Sequence, residues 1–392
     1  MTRILFVGAG LLAAALLSGA ASAEDTIKIG LINTYSGPFA DTGIQIDNGI
    51  KLWMKQHGDT VAGKKIEVIR KDVGGINPPV AKRLAQEFVT RDNVDIIAGF
   101  ALTPNALAAS DVSAEAKKLM VIMNAATAII TTKSPYSVRT SFTVPQLNET
   151  LGTWAEKNGV KKAYTLVADF GPGIDAEGAF QKGFKAAGGE MVGSVRMPVA
   201  NPDFSAFVQR VKDVDPQGMY VMIPGGAGPG AFGKALAERG LDPKKMKIMG
   251  QMEITDEHAL ASMGDVAIGM ITSAHYDYNQ KSKLNKEFVA AYNAEFKRNP
   301  DFFSVGGYDG MHLIYSALEK TKGKADGDSL IAAAKGMKWE SPRGPMSIDP
   351  ETRDVIQNVY IREVKKVDGK LVNVEIAEVK DVKDPFKAAM AK

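Results

Sequence analysis

The residues around Thr103 have the types and spacing of an anion-binding site. The apolar run VDIIA at 94–98 predicts a buried strand, and the segment GFALTPNALAAS at 99–110 leads from it into a helix that begins near Thr103 and Pro104. Free backbone N–H groups and the positive end of the helix dipole meet at such a helix start, and both attract anions. The alternative is that Thr103 only caps the helix, as threonine commonly does.

Side chains arranged for catalysis or metal binding are hard to find. The sequence has no cysteine, and its four histidines, His57, His258, His275 and His312, lack the spacing of a metal or catalytic site. Neither the G-x-S-x-G motif of a serine nucleophile nor the phosphate-binding G-x-x-x-x-G-K-[ST] loop occurs. The sequence therefore predicts a protein that is not an enzyme and that carries no metal and no cofactor.

One segment matches a dinucleotide-binding pattern. In ADFGPGIDA, Gly171, Gly173 and Ala176 have the G-x-G-x-x-A spacing between a predicted strand and a predicted helix. Pro172 removes an N–H group from the loop that would hold a pyrophosphate, and the motif does not follow the first strand of the chain. We therefore favour a tight turn and a helix start capped by Asp175, and keep a nucleotide-dependent enzyme as the alternative.

Glycine-rich and polar loops recur where predicted strands end. They lie at 36–43, 100–105, 124–132, 169–173, 224–230 and 250–257. In doubly wound α/β sheets the ligand crevice forms at these ends of the strands. Three loops fall in each half of the chain, so the pattern predicts one site shared by two lobes that close over a ligand. The loop PGGAGPGAF at 224–232 is either a flexible turn or a ligand contact.

Strands and helices alternate strictly along the chain. This alternation predicts parallel sheets wrapped by helices, and its restart near 137–146 predicts two α/β lobes. The last part of the chain, with Asp368-Gly369, predicts extended segments and a hairpin turn.

Composition and the first residues point to an exported protein. Residues 1–23 have the basic start, the short apolar run and the Ala-Ser-Ala end of a signal peptide, with cleavage predicted after Ala23. The net charge of +3 over 392 residues gives no reason to expect a nucleic acid partner. No second apolar segment reaches the ~20 residues of a membrane span. We expect a periplasmic protein.

The ordered motifs resemble one family. IKIGLINTYSGPFADTG, IIAGFALTPNALAAS, LMVIMNAATA, DFGPGIDAEGAFQKGFKAAGGE, NPDFSAFVQRVK and FSVGGYDGMHLIYSALE resemble the leucine/isoleucine/valine-binding family of type I periplasmic solute-binding proteins. The resemblance implies two Rossmann-like doubly wound lobes joined by a three-strand hinge. It implies a first lobe of 24–141 plus 275–350, a second of 142–274 plus 351–385, and a tail of 386–392.

The resemblance also implies where a ligand carboxylate is held. In that family a hydroxyl residue at a helix start and an Ala-Ala-Thr segment hold it, and here these are Thr103 and Ala125, Ala126 and Thr127. Ala101 and Leu102 belong to the same predicted site. Hydroxyls and N–H groups at a helix start can hold a carboxylate without arginine.

The rest of the predicted pocket departs from the amino-acid binders. Their aromatic positions correspond here to Thr42, Pro172 and Gly225 or Gly226, with Gly171 beside Pro172, while Tyr308 is retained. Met252 aligns with the carboxylate that pairs an α-ammonium, and Glu253 is one residue away. If Met252 lines the site, an ammonium would be buried unpaired, which favours an aromatic acid. If Glu253 points inward, a branched-chain amino acid stays open.

Together these features predict a periplasmic receptor for a branched-chain-amino-acid-type ABC importer. It would capture a small carboxylate, with an aromatic acid slightly favoured, and deliver it to an inner-membrane permease. We expect a monomer. A ligand-sensing module of the same fold is the alternative.

Overall fold

A computed structural model of the chain describes residues 26–200 and 202–390. The predicted signal peptide and its cleavage after Ala23 lie outside the described residues, as does the end of the predicted tail. None of the helices in the described ranges combines the length and apolar character that a membrane span requires.

Six strands from the first part of the chain form one sheet. The elements are β1 (Thr26–Asn33), α1 (Ala40–His57), β2 (Thr60–Val61), β3 (Lys64–Asp72), α2 (Pro78–Thr90), β4 (Ile96–Gly99), α3 (Thr103–Ala116), β5 (Leu119–Ile122), α4 (Ile130–Lys133) and β6 (Ser137–Arg139), with a 3₁₀ turn at Gly37–Phe39. The sheet order is β2-β3-β1-β4-β5-β6, and every pairing except β2 with β3 is parallel. Strands β4 and β5 are entirely buried, as expected for strands covered by helices on both faces.

The next part of the chain repeats this arrangement. Its elements are α5 (Val144–Lys157), β7 (Lys162–Ala168), α6 (Gly171–Ala186), β8 (Glu190–Met197), α7 (Phe204–Val214), β9 (Gly218–Met222), α8 (Gly228–Arg239), β10 (Lys247–Gln251), α9 (Glu257–Met263) and β11 (Ile271–Ala274), with 3₁₀ turns at Met252–Thr255 and Gly264–Ala267. Strands β7 to β11 pair in parallel, in the order β8-β7-β9-β10-β11.

The last part of the chain returns to both sheets. It contains α10 (Lys283–Phe296), α11 (Phe302–Lys320), α12 (Gly327–Ala334), β12 (Lys338–Ser341), β13 (Gly344–Ile348), β14 (Val355–Val367), β15 (Lys370–Val382) and α13 (Pro385–Met390). Helices α10 and α11 pack on α1, and α12 packs on β5 and β6. Strand β14 pairs antiparallel with β11, β13 and β15, and the turn at Asp368-Gly369 confirms the predicted hairpin.

Two lobes result, which confirms the predicted doubly wound α/β fold class. The chain passes between the lobes over 140–143, 275–282 and 335–337. The lobe boundaries in residue numbers stay a prediction. Within them, β12 and β13 were expected in the first lobe but hydrogen-bond into the sheet of the second.

Candidate functional site

A cavity lies between the two lobes, where the strands of both sheets end. Its empty volume is about 480 Å³, counting space open to solvent. The first lobe contributes Thr42, Ala101, Leu102, Thr103, Asn124, Ala125, Ala126 and Phe303, the first crossing and the helix after it contribute Phe142 and Val144, and the second lobe contributes Phe170, Pro172, Met222, Pro224, Gly225, Gln251 and Glu253.

Most of the predicted site residues line this cavity. They are Thr42, Ala101, Leu102, Thr103, Ala125, Ala126, Pro172, Gly225 and Glu253. Thr127, Gly171, Gly226, Met252 and Tyr308 were also predicted but do not line it. That any of these residues contacts a ligand stays a prediction.

The first-lobe end of the cavity offers hydrogen-bond donors. Helix α3 begins at Thr103, and the N–H groups of its first turn have no carbonyl partner within the helix. The Thr103 hydroxyl does not cap its own helix, because Leu102 occupies the N-cap position and Thr103 Oγ1 accepts from the Thr127 N–H at 3.4 Å. The interpretation of Thr103 as a plain helix cap is therefore wrong.

Thr127 lies just behind this end of the cavity. Its hydroxyl is buried and has no hydrogen-bond partner among the described residues. The second lobe covers it, since a Cβ placed on Gly171 would lie 3.5 Å from Thr127 Oγ1. We expected Asp175 to cap helix α6, and this prediction is wrong, because no described side chain caps that helix. The Asp175 carboxylate instead accepts the N–H of Ala128 in the first lobe at 3.2 Å.

The middle of the cavity is apolar and rich in aromatic rings. Phe142, Phe170 and Phe303 line it together with Val144 and Met222. The Phe142 ring stacks on His275 at 4.9 Å between centroids, which fixes its orientation from behind. A ring inserted here would bury apolar surface on several sides. Burial of apolar surface stabilises by a free energy of about 25 cal/mol per Å².

The second-lobe end carries one buried acid held by a chain of hydrogen bonds. Gln251 Nε2 donates to both carboxylate oxygens of Glu253, at 2.8 and 2.9 Å. Asn148 Nδ2 donates to Gln251 Oε1 at 2.6 Å, and the Tyr220 hydroxyl donates to Asn148 Oδ1 at 2.6 Å. Burial raises the pKa of Glu253 to about 7, against the two bonds from Gln251.

Cations are absent from the described residues that line this cavity. The nearby Arg139 donates to the carbonyls of Phe142 and Thr127, at 3.1 and 2.9 Å. Its Nε lies 3.1 Å from Asp354 Oδ1 at the start of β14. Arg139 therefore forms a buried salt bridge at the lobe junction, and it acts on the cavity through the backbone carbonyls to which it donates.

The resemblance aligned Met252 with the position of the family's carboxylate, but in the structure Glu253 lies at the cavity instead. Strand β10 ends at Gln251, and the 3₁₀ turn after it places Gln251 and Glu253 at the cavity while Met252 packs in the core. Met252 is fully buried in the hydrophobic core and borders a second, smaller cavity. The expectation that Met252 lines the ligand cavity is wrong.

Tyr308 and Gly226 have structural surroundings of their own. The Tyr308 hydroxyl donates to Gln56 at 2.7 Å, and its ring meets Trp53 edge-on at 4.9 Å, within the first lobe. Gly226 has φ +105°, and a Cβ there would lie 2.8 Å from the Pro38 carbonyl oxygen. Position 226 requires glycine, because the two lobes touch at this point and leave no room for a Cβ.

The structure adds lining residues that sequence reasoning missed. They are Asn124, Phe142, Val144, Phe170, Met222, Pro224, Gln251 and Phe303. Asn124, Phe170, Pro224 and Gln251 lie inside the predicted strand-end loops, so those loops were a usable signal. Phe303 carried no such signal, because only the return of α11 to the first lobe brings it to the cavity.

The glycines of the dinucleotide-like motif have a packing role. A Cβ on Gly173 would lie 1.8 Å from the Ala168 carbonyl oxygen, so this glycine lets α6 begin directly against β7. That requirement accounts for Gly173 without any phosphate.

Comparisons with known proteins agree with this architecture. A family model described as periplasmic binding protein matches residues 26–370. A Leu/Ile/Val-binding protein homolog 6 of Brucella abortus (strain 2308) is 43% identical over 373 residues, covering 94% of this chain and 95% of the relative. The chain belongs to the periplasmic binding protein family, whose members are solute-binding receptors, and this confirms the predicted resemblance.

Two solved structures are similar over nearly the whole chain. A solute-binding protein of an ABC transporter from Rhodopseudomonas palustris BisB5, in complex with 3,4-dihydroxybenzoic acid, is 56% identical with a TM-score of 0.90, covering 93% of this chain and 100% of that one. Another, from Rhodopseudomonas palustris HaA2 in complex with p-hydroxybenzoic acid, is 43% identical with a TM-score of 0.90 and the same coverage.

Proposed function

We propose that this protein is the receptor of an ABC importer for hydroxylated aromatic acids. The observation that carries the proposal is the order of groups along the cavity: donors without a cation at one end, rings in the middle, and a buried acid at the other. The two similar structures with hydroxybenzoic acids support it. The receptor would work in the periplasm, without catalysis, and pass its ligand to an inner-membrane permease.

In this proposal the ligand carboxylate lies at the first-lobe end. Thr103, the N-terminus of α3 and the backbone at Ala125 and Ala126 bind it, and the unpaired Thr127 hydroxyl turns toward it when the ligand binds. Anions are stabilised at helix N-termini by about 0.3–1 kcal/mol, and by more where the site is partly buried. The ring then lies against Phe142, Phe170 and Phe303.

The ring hydroxyl reaches Glu253 at the second-lobe end. Gln251 donates to both oxygens of Glu253, which favours the carboxyl as an acceptor toward the cavity, so a phenolic O–H suits it. A ligand without that donor leaves Glu253 buried and short of a partner, which costs about 1–3 kcal/mol or more for a charged group. Hydroxylated acids are therefore favoured over benzoate.

A branched-chain amino acid is the second candidate, and Glu253 is the observation that favours it. The carboxylate could pair with an α-ammonium, so the argument for an aromatic acid that depended on Met252 no longer applies. The aromatic lining by Phe142, Phe170 and Phe303 now carries that preference.

A ligand panel tests the proposal. The exported chain would be unfolded, freed of bound ligand, refolded, and scanned thermally with 4-hydroxybenzoate, 3,4-dihydroxybenzoate, benzoate, leucine and NAD. A ligand at ~1,000 times its Kd stabilises by about 4 kcal/mol, which raises the Tm by several degrees. We expect the largest shifts from the two hydroxylated acids. A shift with leucine alone would overturn the proposal, and one with NAD would revive the nucleotide alternative.

A further inference from the structure

Two residues that do not line the cavity control how Glu253 is presented to it. The hydroxyl of Tyr220 and the amide of Asn148 form the buried end of the hydrogen-bond chain described above. We name the four residues Tyr220, Asn148, Gln251 and Glu253 the amide chain. Tyr220 is fully buried in β9, and Asn148 is buried on α5.

The hydrogen bonds of the amide chain run in a fixed direction, because each of its side chains has a defined set of donors and acceptors. The Tyr220 hydroxyl donates to Asn148 Oδ1. The Asn148 amide nitrogen donates to Gln251 Oε1 and to the Val144 carbonyl, at 2.6 and 2.8 Å. Because a carbonyl can only accept, the bond to Val144 sets the orientation of the amide, and the Tyr220 hydroxyl supports it by satisfying Asn148 Oδ1. Because Gln251 must accept through Oε1, its Nε2 faces Glu253. An amide chain anchored at one end cannot reverse without losing a bond.

The direction decides how strong an acceptor Glu253 offers to a ligand. Gln251 donates to both carboxylate oxygens, which stabilises the ionised form, and each oxygen keeps a further lone pair for a ligand donor. If Gln251 reversed, its oxygen would face Glu253, and the acid would have to be protonated and donate to Gln251. The ligand would then meet a neutral carboxylic acid, whose other oxygen accepts hydrogen bonds more weakly than a carboxylate does.

We infer that Tyr220 and Asn148 are positioning residues for ligand selection. By holding Gln251 in one orientation, they keep Glu253 an acceptor and so favour ring-hydroxylated acids over the unhydroxylated ring. This inference rests on the proposed function, since it concerns how the same cavity distinguishes two aromatic acids. A site built to pair with a ligand hydroxyl discriminates strongly against the ligand that lacks it.

The test is the ratio of two affinities in a variant that keeps the ring. Tyr220→Phe removes only the hydroxyl, and the stacking of residue 220 on Phe180 at 4.4 Å can persist. Calorimetry would give Kd for 4-hydroxybenzoate and for benzoate. We expect the 4-hydroxybenzoate Kd to rise by about threefold to tenfold, as for loss of one net hydrogen bond, with the benzoate Kd nearly unchanged. A merely structural role would weaken both ligands equally.

A second variant and a control complete the design. Asn148→Asp replaces the donor to Gln251 by an acceptor, so Gln251 must reverse, and the affinity ratio should fall further than in Tyr220→Phe. Tyr315→Phe is the matched control, because its hydroxyl donates to the Gly58 carbonyl at 2.8 Å in the first lobe, outside the cavity. It should leave the ratio unchanged.

The outcomes separate the inference from the proposed function. If the wild type binds 4-hydroxybenzoate more tightly than benzoate and Tyr220→Phe and Asn148→Asp keep the same ratio, the inference is wrong and the function stands. If the wild type binds neither acid, or binds benzoate equally well, Glu253 does not select a ring hydroxyl, and both the inference and this part of the proposed function are wrong.

Discussion

At the scale of single residues, the proposed carboxylate site has no cationic side chain among the described residues that line the cavity. Thr103 begins α3 and has its hydroxyl at the cavity wall. Among the described residues its Oγ1 accepts one weak bond, at 3.4 Å from the Thr127 N–H, and donates none, so its proton is available to a ligand. Hydrogen bonds to charged groups contribute about 1.5–3 kcal/mol.

Thr103→Val tests this residue with almost no change in shape. We expect the Kd for 4-hydroxybenzoate to rise by about tenfold or more, since 1.4 kcal/mol corresponds to a factor of ten. Thr103→Ser keeps the hydroxyl and should retain most of the affinity. Isothermal calorimetry on both variants gives the result, and an unchanged Kd in Thr103→Val would place the carboxylate elsewhere.

The sequence predicted Thr103 and its neighbours well because a strand end, a hydroxyl and a helix start are local signals. It could not decide between Met252 and Glu253. Adjacent side chains point to opposite sides where a strand ends, so an alignment error of one residue exchanges a cavity wall for the core. Only the packed structure shows that the 3₁₀ turn after β10 places Glu253 at the cavity and Met252 in the core.

At the scale of elements, the crossings between the lobes depend on buried ion pairs. Arg139 at the end of β6 lies against Asp354, which also accepts from Lys387, and all three side chains are buried. Burial lowers the pKa of Lys387, against the attraction of Asp354. Removing one partner from such a group leaves an uncompensated charge in the interior.

Asp354→Ala should therefore destabilise the protein by about 3–5 kcal/mol, the range for breaking a buried ion pair. Urea unfolding followed by circular dichroism would measure this loss. Asp265→Ala is the comparison, because its bridge to Lys366 is exposed and such pairs contribute only about 0–1 kcal/mol. Equal effects of the two substitutions would contradict a structural role for the pair at the crossing.

Helix α6 offers a test of lobe contact. Gly171 at its start faces Thr127 across the lobes, while Gly178 has no atom within 4 Å of the position of a Cβ. Gly171→Leu should weaken 4-hydroxybenzoate binding by at least about tenfold, because the added side chain holds the lobes apart, whereas Gly178→Leu should not. Affinity and the Tm of the ligand-free protein are the readouts. Equal affinities would show that the lobes do not meet here.

The alternation of strands and helices could be predicted because it depends on local hydrophobic patterns. The short strand β6 could not be predicted in this way. The extended segment that became β13 was predicted, but not that β12 and β13 join the sheet of the second lobe through β14. Phe303 shows the same limit at the cavity. It reaches the cavity only because α11 packs on α1, more than 240 residues earlier in the chain.

At the scale of the whole molecule, carboxyl groups from both lobes lie close together beside the main cavity. Asp256 of the second lobe and Asp301 of the first line the smaller cavity. Burial raises the pKa of Asp256 to about 7, with Asp301, Glu253 and Asp41 adding repulsion. Burial raises the pKa of Asp301 to about 6, although Arg298 opposes this. Neither forms an ion pair with a described residue.

A pH dependence of binding follows from Asp256. Its pKa is raised in this structure by burial beside the other lobe. We expect opening of the lobes to return the pKa to its ordinary range, so closure takes up a proton and becomes less favourable as the pH rises toward about 7. Asp256→Asn keeps an acceptor for the Ala259 N–H at the start of α9 and carries no charge. We expect the ratio of wild-type Kd to variant Kd to rise between about pH 5 and pH 7, by up to about tenfold per pH unit, and to level off above that.

Asp326→Asn is the control for this pH series. Asp326 also caps a helix, α12, but the pKa of its carboxyl is lowered and it is hydrogen-bonded to Ser329. The ratio of wild-type Kd to Asp326→Asn Kd should not change with pH. If the ratio of wild-type Kd to Asp256→Asn Kd is also independent of pH, closure does not bury the Asp256 carboxylate.

The most direct test of the account is a crystal structure of the protein grown with 4-hydroxybenzoate. We predict the ligand carboxylate at Thr103 and the N-terminus of α3, the ring between Phe142, Phe170 and Phe303, and the hydroxyl on Glu253. A reversed ligand, with its carboxylate toward Glu253, would contradict the account, as would density for the acid anywhere outside this cavity.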